Sequence, residues 1–347
     1  MNSFKKINIE LPLSSVWLTN SIAEYKGKQD FYAKQSPQLL KAFLETSLIE
    51  SAESSNRIEG VIVDHARLKP LVIGHSKPRD RSEEEVAGYR KALDLIHRKY
   101  KSLRITPEIV MELHRLCRGE SWDAGTWKEK DNDIIRKHAD GRVEIIFKPV
   151  SAVNTPDMMK QLCLSYEHSI SQLKYPDLYA VACLVLDFLS IHPFRDGNGR
   201  VSRLLTLLAL YQHGFMVGKY ISLERIVEKS KETYYETLNK SSQKWHESKH
   251  DVIPWFNYFL GTVLAAYKEF EERAKNIKPG RGTKTQIITQ AIERQSGEFA
   301  ISEIEKECAG VSRPMIRVVL EDLRANGRVE VLGTGRSARW RKRDNKM

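Results

Sequence analysis

Apolar residues recur along most of this chain at spacings of three and four, the mark of helices with one buried face. Leu39, Leu40, Phe43, Leu44 and Leu48 form one stripe, and Val86, Tyr89, Leu93 and Ile96 form another. Trp255, Phe256, Phe259, Leu260, Val263 and Leu264 mark a third, over roughly 252–274. Two segments, 179–189 and 204–210, are apolar almost without interruption. Each therefore predicts a helix buried on all sides. Ser36-Pro37, Thr106-Pro107 and Thr155-Pro156 each offer an N-cap with proline at the first helical position. Ser82 with Glu85 reads as a capping box, and Gly214 stands where the 204–211 run needs a C-cap. The periodicity changes within 125–150. There Ile134-Ile135 and a run from Val143 to Phe147 flank Ala139-Asp140-Gly141, which predicts a β-hairpin.

Composition narrows the class. A chain of 347 residues has room for two or three domains, and 41% hydrophobic with 29% charged content describes a soluble globular protein. The N-terminal residues lack the unbroken apolar core of a signal peptide. The most apolar segment carries Asp187 and is short for a bilayer, so no membrane partner is expected. Cys117, Cys163, Cys183 and Cys308 are scattered, with no CxxC pair, as expected of reduced thiols in a cytoplasmic protein.

The formal net charge of +11 is unevenly spread: residues 275–347 hold sixteen Lys or Arg against nine Asp or Glu. A basic tail of this kind points to an acidic partner, with DNA first in line. Residues 278–284, Lys-Pro-Gly-Arg-Gly-Thr-Lys, read as a linker. Helical patterns follow at 284–295, from Ser302, and at 312–325. Then come a strand at 328–332, a turn at Gly333-Thr334-Gly335-Arg336, and a strand at 338–341. This order resembles a winged helix-turn-helix domain, with Arg313 and Arg317 in the N-terminal half of its recognition helix.

The densest chemistry lies between the two apolar helices, in His192-Pro193-Phe194-Arg195-Asp196-Gly197-Asn198-Gly199-Arg200-Val201-Ser202-Arg203. A loop here opens onto a helix N-terminus, where unpaired N–H groups and the positive dipole end attract phosphate. Gly197 and Gly199 allow the turns of an anion nest and a close approach of phosphate oxygens. Arg200 and Arg203, three apart, share a helix face. His192 is a candidate general base, and Asp196 a candidate magnesium ligand. The P-loop pattern is absent, and GxGxxG would need glycine at Ser202.

At these residues the chain resembles the Fic family, whose signature His-x-Phe-x-Asp/Glu-Gly-Asn-Gly-Arg-x-x-Arg it matches from His192 to Arg203. The resemblance implies a mainly α Fic-type core with a β-hairpin flap. It also implies ATP- and Mg2+-dependent transfer of AMP to Ser, Thr or Tyr hydroxyls of a protein target, which can be the protein itself. In that scheme His192 deprotonates the target hydroxyl and Asp196 holds Mg2+. Gly197, Asn198 and Gly199 cradle phosphates, and Arg200 and Arg203 bind the β and γ phosphates. The hairpin at Ile134-Ile135 docks the target by strand addition, and Tyr235 packs on adenine. Relatives that carry an asparagine seven residues after that tyrosine differ here, where Ser242 stands. Ser55-Asn56-Arg57-Ile58-Glu59-Gly60 resembles the family's inhibitory motif. It implies that Glu59, with Ser55, competes with the γ-phosphate for Arg203.

The expected organisation is an N-terminal helical region with the inhibitory motif (1–104), a catalytic core (105–277), the linker (278–284) and a winged domain (285–347). Two other functions fit the same residues: removal of AMP, with Glu59 positioning water, and a DNA-binding regulator whose core senses nucleotide. A homodimer is a further expectation of the resemblance. His246-Glu247-Ser248-Lys249-His250 spells HExxH, but its polar surroundings argue against a zinc site.

Overall fold

The computed structural model describes all residues except 6–9, 36, 75, 138–139, 277–282, 294, 296, 309–310, 334, 336–337 and 344–347. The expected cap at Ser36, Ala139 of the hairpin turn, most of the linker, and Thr334 and Arg336 of the expected wing lie outside the described residues. The chain is mainly helical and divides into two compact units, Met1–Gln29 with Gln38–Glu271, and Asp30–Pro37 with Glu272–Met347.

The larger unit draws on α1 (Leu13–Gln35), α2 (Pro37–Ile58), α3 (His65–Val72), α4 (Arg81–Lys99), α5 (Pro107–Arg118) and α6 (Thr155–Ser171). It continues through α7 (Asp177–Ile191), α8 (Asn198–Gln212), α9 (Leu223–Lys229), α10 (Lys231–Ser242) and α11 (Ile253–Asn276). The two continuously apolar segments become α7 and α8, buried on nearly every side. They pack on each other and on α6, α5 and α4. α4 and α5 approach so closely that a Cβ on Gly88 would lie 2.1 Å from the Leu116 carbonyl oxygen.

Two helix starts differ from the sequence reading. Asp80, not Ser82, caps α4 by accepting from the Glu83 N–H at 2.9 Å. Glu85 is thereby left free to turn inward, where buried arginines claim its carboxylate. α6 begins at Thr155 itself, whose hydroxyl donates back to the Ser151 carbonyl instead of capping. Thr106 caps α5 as expected, accepting from Ile109 N–H at 3.4 Å. Gly214, at φ +76°, closes α8 with its N–H on the Tyr211 carbonyl.

The hairpin forms from β1 (Ile134–Lys137) and β2 (Val143–Phe147), antiparallel, with a bulge between Ile134 and Ile135. Asp187, the acidic residue inside α7, is wholly buried. It accepts from Ser3 N–H, Ser3 Oγ and Trp245 Nε1, so the first residues of the chain and the 243–250 turn close over the core helix. Burial, partly offset by these donors, raises its pKa to about 6.

The smaller unit holds α12 (Thr283–Glu293), α13 (Ile301–Glu307) and α14 (Arg313–Ala325). β3 (Val329–Leu332) and β4 (Arg339–Lys342) follow as an antiparallel pair. Ile288, Phe299, Ile304, Ile316, Leu320 and Trp340 are in its core. Phe299 and Trp340 exchange backbone hydrogen bonds at 2.8 Å, fastening β4 to the segment before α13. No described helix is long and apolar enough to cross a membrane. The four cysteines are buried.

Candidate active site

The 192–203 segment forms a tight loop between the C-terminus of α7 and the N-terminus of α8. His192 ends α7 in the left-handed region (φ 52°, ψ 60°), a conformation that costs energy in a non-glycine residue and turns the chain sharply. Gly197 supplies a second left-handed residue at φ +85° immediately before α8. The Asn198 side chain locks the loop from within: its Oδ1 accepts from Phe194 N–H at 2.9 Å, and its Nδ2 donates to the Phe194 carbonyl at 2.8 Å. Asn198 is buried, so in this structure its amide holds the shape of the nest.

Neighbouring elements brace the loop from outside. His114 of α5 stacks on Phe194 with ring centroids 3.7 Å apart. Its Nδ1 accepts from Gly125 N–H at 3.0 Å, which leaves Nε2 to donate to the Asp196 carbonyl at 3.0 Å. Those two bonds fix one neutral tautomer, and burial lowers the pKa of the ring to about 4. The Lys128 ammonium donates to Asn132 Oδ1 and to the Ile191 carbonyl, while Asn132 Nδ2 donates to the Phe194 carbonyl. Burial lowers the pKa of Lys128 to about 8.

His192 faces a cleft of about 470 Å³. Burial first, and the Lys128 charge second, lower its pKa to about 4, so the imidazole is neutral at physiological pH. Ile134, Ile135 and Arg136 of the hairpin line the same cleft, as do Ile146, Phe147, Tyr235, Leu238, Asn239 and Ser242. Tyr235 is 43% exposed and faces the cleft, whereas Tyr234 is buried.

Glu59 also reaches the cleft. Gly60, at φ +85°, ends α2 and leaves Glu59 projecting from its last turn. Its Oε1 accepts from Arg203 Nη2 at 2.8 Å. Ser55 holds the same guanidinium twice, at 2.9 Å each, through its Oγ to Nε and its carbonyl to Nη2. Burial works against the charge of Arg203, and Glu59, with Tyr234 and Tyr89, outweighs it and raises the pKa of the guanidinium. A Cβ on Gly199 would lie 2.2 Å from Glu59 Oε1, so only glycine lets this carboxylate rest on the first turn of α8. Ser55, Glu59, Gly199 and Arg203 thus come together from two helices far apart in sequence.

Arg200 does not point into the cleft beside Arg203. It is 1% exposed, with Nη1 on Glu85 Oε2 at 2.7 Å and Nη2 3.5 Å from Asp196 Oδ1. Arg118 Nη1 donates both to Glu85 Oε1 at 2.8 Å and to Asp196 Oδ2 at 2.6 Å. Glu85, His114, Arg118, Lys128 and Asn132 were not identified as site residues from the sequence. Glu85 sits in an acidic run, Ser-Glu-Glu-Glu, that reads as surface. His114 and Arg118 are four apart on one face of α5, the one local signal that could have paired them.

The Asp196 carboxylate is about half exposed, at the rim of the loop. A magnesium ion needs few protein carboxylates when phosphate oxygens and water supply the rest. Its oxygens accept from Arg118 Nη1 and from Gly197 N–H, each at 2.6 Å, and the half of the carboxylate that still faces water beside a helix N-terminus fits that requirement.

The HExxH histidines are both engaged elsewhere. His246 Nε2 contacts the Lys148 carbonyl at 2.7 Å, and His250 Nε2 lies 2.9 Å from Ser3 Oγ. Among the described residues there is no cluster of three metal-binding side chains.

Residues 104–210 match the Fic/DOC family model. The matched segment runs from α5 through α8, so it contains the loop, the hairpin and every bracing residue except Glu85. A Fido domain-containing protein of Dictyostelium discoideum is 29% identical over 133 residues, covering 37% of this chain and 88% of the relative. Among solved structures, a Fic family protein from Desulfovibrio desulfuricans G20 superposes with a TM-score of 0.63 at 20% identity, covering 99% of each chain. A Fic domain containing signaling protein from Bacteroides thetaiotaomicron gives 0.64 at 22%, over 74% of this chain and 98% of that one. Fic-1 from C. elegans (aa134–508) gives 0.57 at 21%, over 76% and 73%. At such identities the likeness to solved structures is one of fold. Together the family model and these neighbours support a Fic/Fido domain in this chain.

Proposed function

We propose that the protein is an adenylyltransferase that moves AMP from ATP to a Ser, Thr or Tyr hydroxyl of a protein, and that Glu59 restrains it. The observation that carries this reading is the Glu59–Arg203–Ser55 contact at the head of the cleft that His192 lines. A neutral His192 can take the proton of an incoming hydroxyl at Nε2, its Nδ1 being buried, as the oxygen attacks the α-phosphorus. The bond to the pyrophosphate oxygen breaks as the new ester bond forms, and negative charge collects on the leaving group. Gly199 N–H and the α8 N-terminus are placed to receive that charge, with Arg203 once Glu59 has released it. Asp196 would hold a magnesium ion, which supplies charge neutralisation at the phosphates. Tyr235 and Leu238 offer a flat apolar wall for a base.

Removal of AMP is the second reading. Glu59 and His192 line one cleft, so a carboxylate able to orient water lies in the same space as the histidine. Incubation of purified protein with α-labelled ATP and magnesium, alone and with lysate, tests both readings. Transfer predicts label on protein, rising in Glu59→Gly. Removal predicts that wild type strips a labelled target and Glu59→Gly does not. Absence of label in both proteins, with every partner tried, would overturn the transferase reading.

A further inference from the structure

Glu85 lies outside the matched Fic segment, yet it is the hub of the buried charges beneath the loop. Its side chain is 6% exposed, and its two oxygens go to different arginines, Oε1 to Arg118 at 2.8 Å and Oε2 to Arg200 at 2.7 Å. Both arginines are nearly inaccessible, at 4% and 1%. Both also reach Asp196, from Arg118 at 2.6 Å and from Arg200 at 3.5 Å. Asp123 adds a third carboxylate, 3.3 Å from Arg118. Arg81, two-thirds exposed and hydrated, adds only a longer contact to Glu85 Oε1 at 3.4 Å. Beneath the loop three carboxylates therefore face two buried guanidiniums, and the surplus of one negative charge ends at Asp196, the member of the set that is half exposed. Buried ions demand near-complete pairing. If the Glu85 charge were removed, two carboxylates would face two arginines, and Asp196 would be drawn fully into their forks.

We infer that Glu85 is a positioning residue: by taking up the charge of Arg118 and Arg200, it keeps the Asp196 carboxylate open to a divalent cation. It also turns the Arg200 guanidinium inward at the base of α8, so that of the two α8 arginines it is Arg203 that lines the cleft. The inference rests on the nucleotidyl-transfer reading of this site. It adds a determinant of metal affinity supplied by α4, from outside the 192–203 loop.

The test uses full-length Glu59→Gly protein with a saturating non-reactive α,β-methylene ATP analogue, and Mn2+ as a spectroscopic probe of the divalent site. In that background Glu85→Gln should weaken Mn2+ binding roughly tenfold or more, the scale of one charge a few ångströms away at an effective dielectric of about 20. Metal-free binding of the analogue should persist. Adding Arg118→Gln restores the charge surplus and should return the Mn2+ affinity to within about threefold of the parent, a coupling that double-mutant cycles measure. A merely structural Glu85 would give no such rescue, because a second truncation in the same core would only loosen it further. Unchanged Mn2+ affinity in folded Glu85→Gln, or failure of the double variant to recover, overturns the inference. If Glu85→Gln does not fold, Arg118→Gln alone decides: relieving Asp196 of one arginine should tighten Mn2+ binding, and an unchanged affinity overturns the inference. A parent that binds no nucleotide at all would instead remove the nucleotidyl-transfer reading, and this inference with it.

Discussion

The neutral state of His192 is set by where the side chain sits. Burial and the Lys128 charge lower its pKa to about 4. A base must be unprotonated to accept the hydroxyl proton, so the acid limb of kcat/KM should fall near pH 4 and not near 6.5. Measured on Glu59→Gly protein, a rate that halves close to pH 6.5 would show that the site is wetter than the structure places it. His192→Ala should lower transfer by roughly 10²–10⁴ while nucleotide affinity, carried by the nest and Arg203, holds. Glu59→Gly acts on the other half of the site. It frees the Arg203 fork without touching His192 or Asp196, and misalignment by about 1 Å can cost ~10²-fold, so auto-labelling should rise by about one to two orders of magnitude. Labelling by the variant no greater than wild type, at several concentrations, would remove Glu59 from any inhibitory role.

At the scale of elements, α2 docks through hydroxyls more than through apolar packing. Ser47, Ser51, Ser54, Ser55 and Asn56 are all buried on its inner face. Ser51 Oγ donates to Glu224 Oε2 at 2.8 Å, beside Tyr89, whose hydroxyl donates to Glu224 Oε1 at 2.9 Å. Lys231 Nζ caps the end of α2 on the Ile58 carbonyl at 2.5 Å. Such a face holds a helix in register while contributing less burial energy than a leucine stripe. Ser51→Ala leaves a buried carboxylate short of a donor, at a cost of about 1–3 kcal/mol. Amide exchange across α2 should quicken in this variant, and auto-labelling should rise, more than for a distant surface control. Equal exchange in α2 would mean that Glu224 does not anchor the helix.

Periodicity reports some of these elements and misses the contacts that join them. The buried helices α7 and α8, the hairpin, and α11 were legible because their patterns depend on neighbours within a few positions. So was the motif from His192 to Arg203, whose glycines and charges have no use in an ordinary turn. Glu85 was not legible: a buried acid among glutamates differs from its neighbours only through arginines 33 and 115 residues away. Arg200 was placed in the cleft by its spacing from Arg203, but a three-residue step rotates a side chain far enough for a buried carboxylate to capture it. Asp187 in α7 looked like a break in an apolar run, and its partners Ser3 and Trp245 come from opposite ends of the unit's sequence.

For the whole molecule, burial of imidazoles makes folding sensitive to acid. His97, His114 and His192 each have a folded pKa of about 4, below the ordinary 6.5, with burial the leading cause in each. Between these values the unfolded chain binds more protons than the folded one. Stability is therefore full above pH 6.5 and is lost as pH falls toward 4, by up to about 3 kcal/mol for each ring. Asp187 works in the opposite sense. Its folded pKa of about 6 lies above the ordinary 3.8, so the folded state gains protons over that window and is favoured as pH falls through it. Three groups oppose one, and the net effect is loss. Thermal melting of the larger unit should fall steeply between pH 6.5 and 4, and His97→Gln, which cannot take up a proton, should flatten the fall. The smaller unit, with none of these histidines, gives an internal control: amide exchange of its core followed in the full-length protein should not share the fall. A larger unit that melts at the same temperature at pH 6.5 and at pH 4.5 would show that these rings reach water in the folded state.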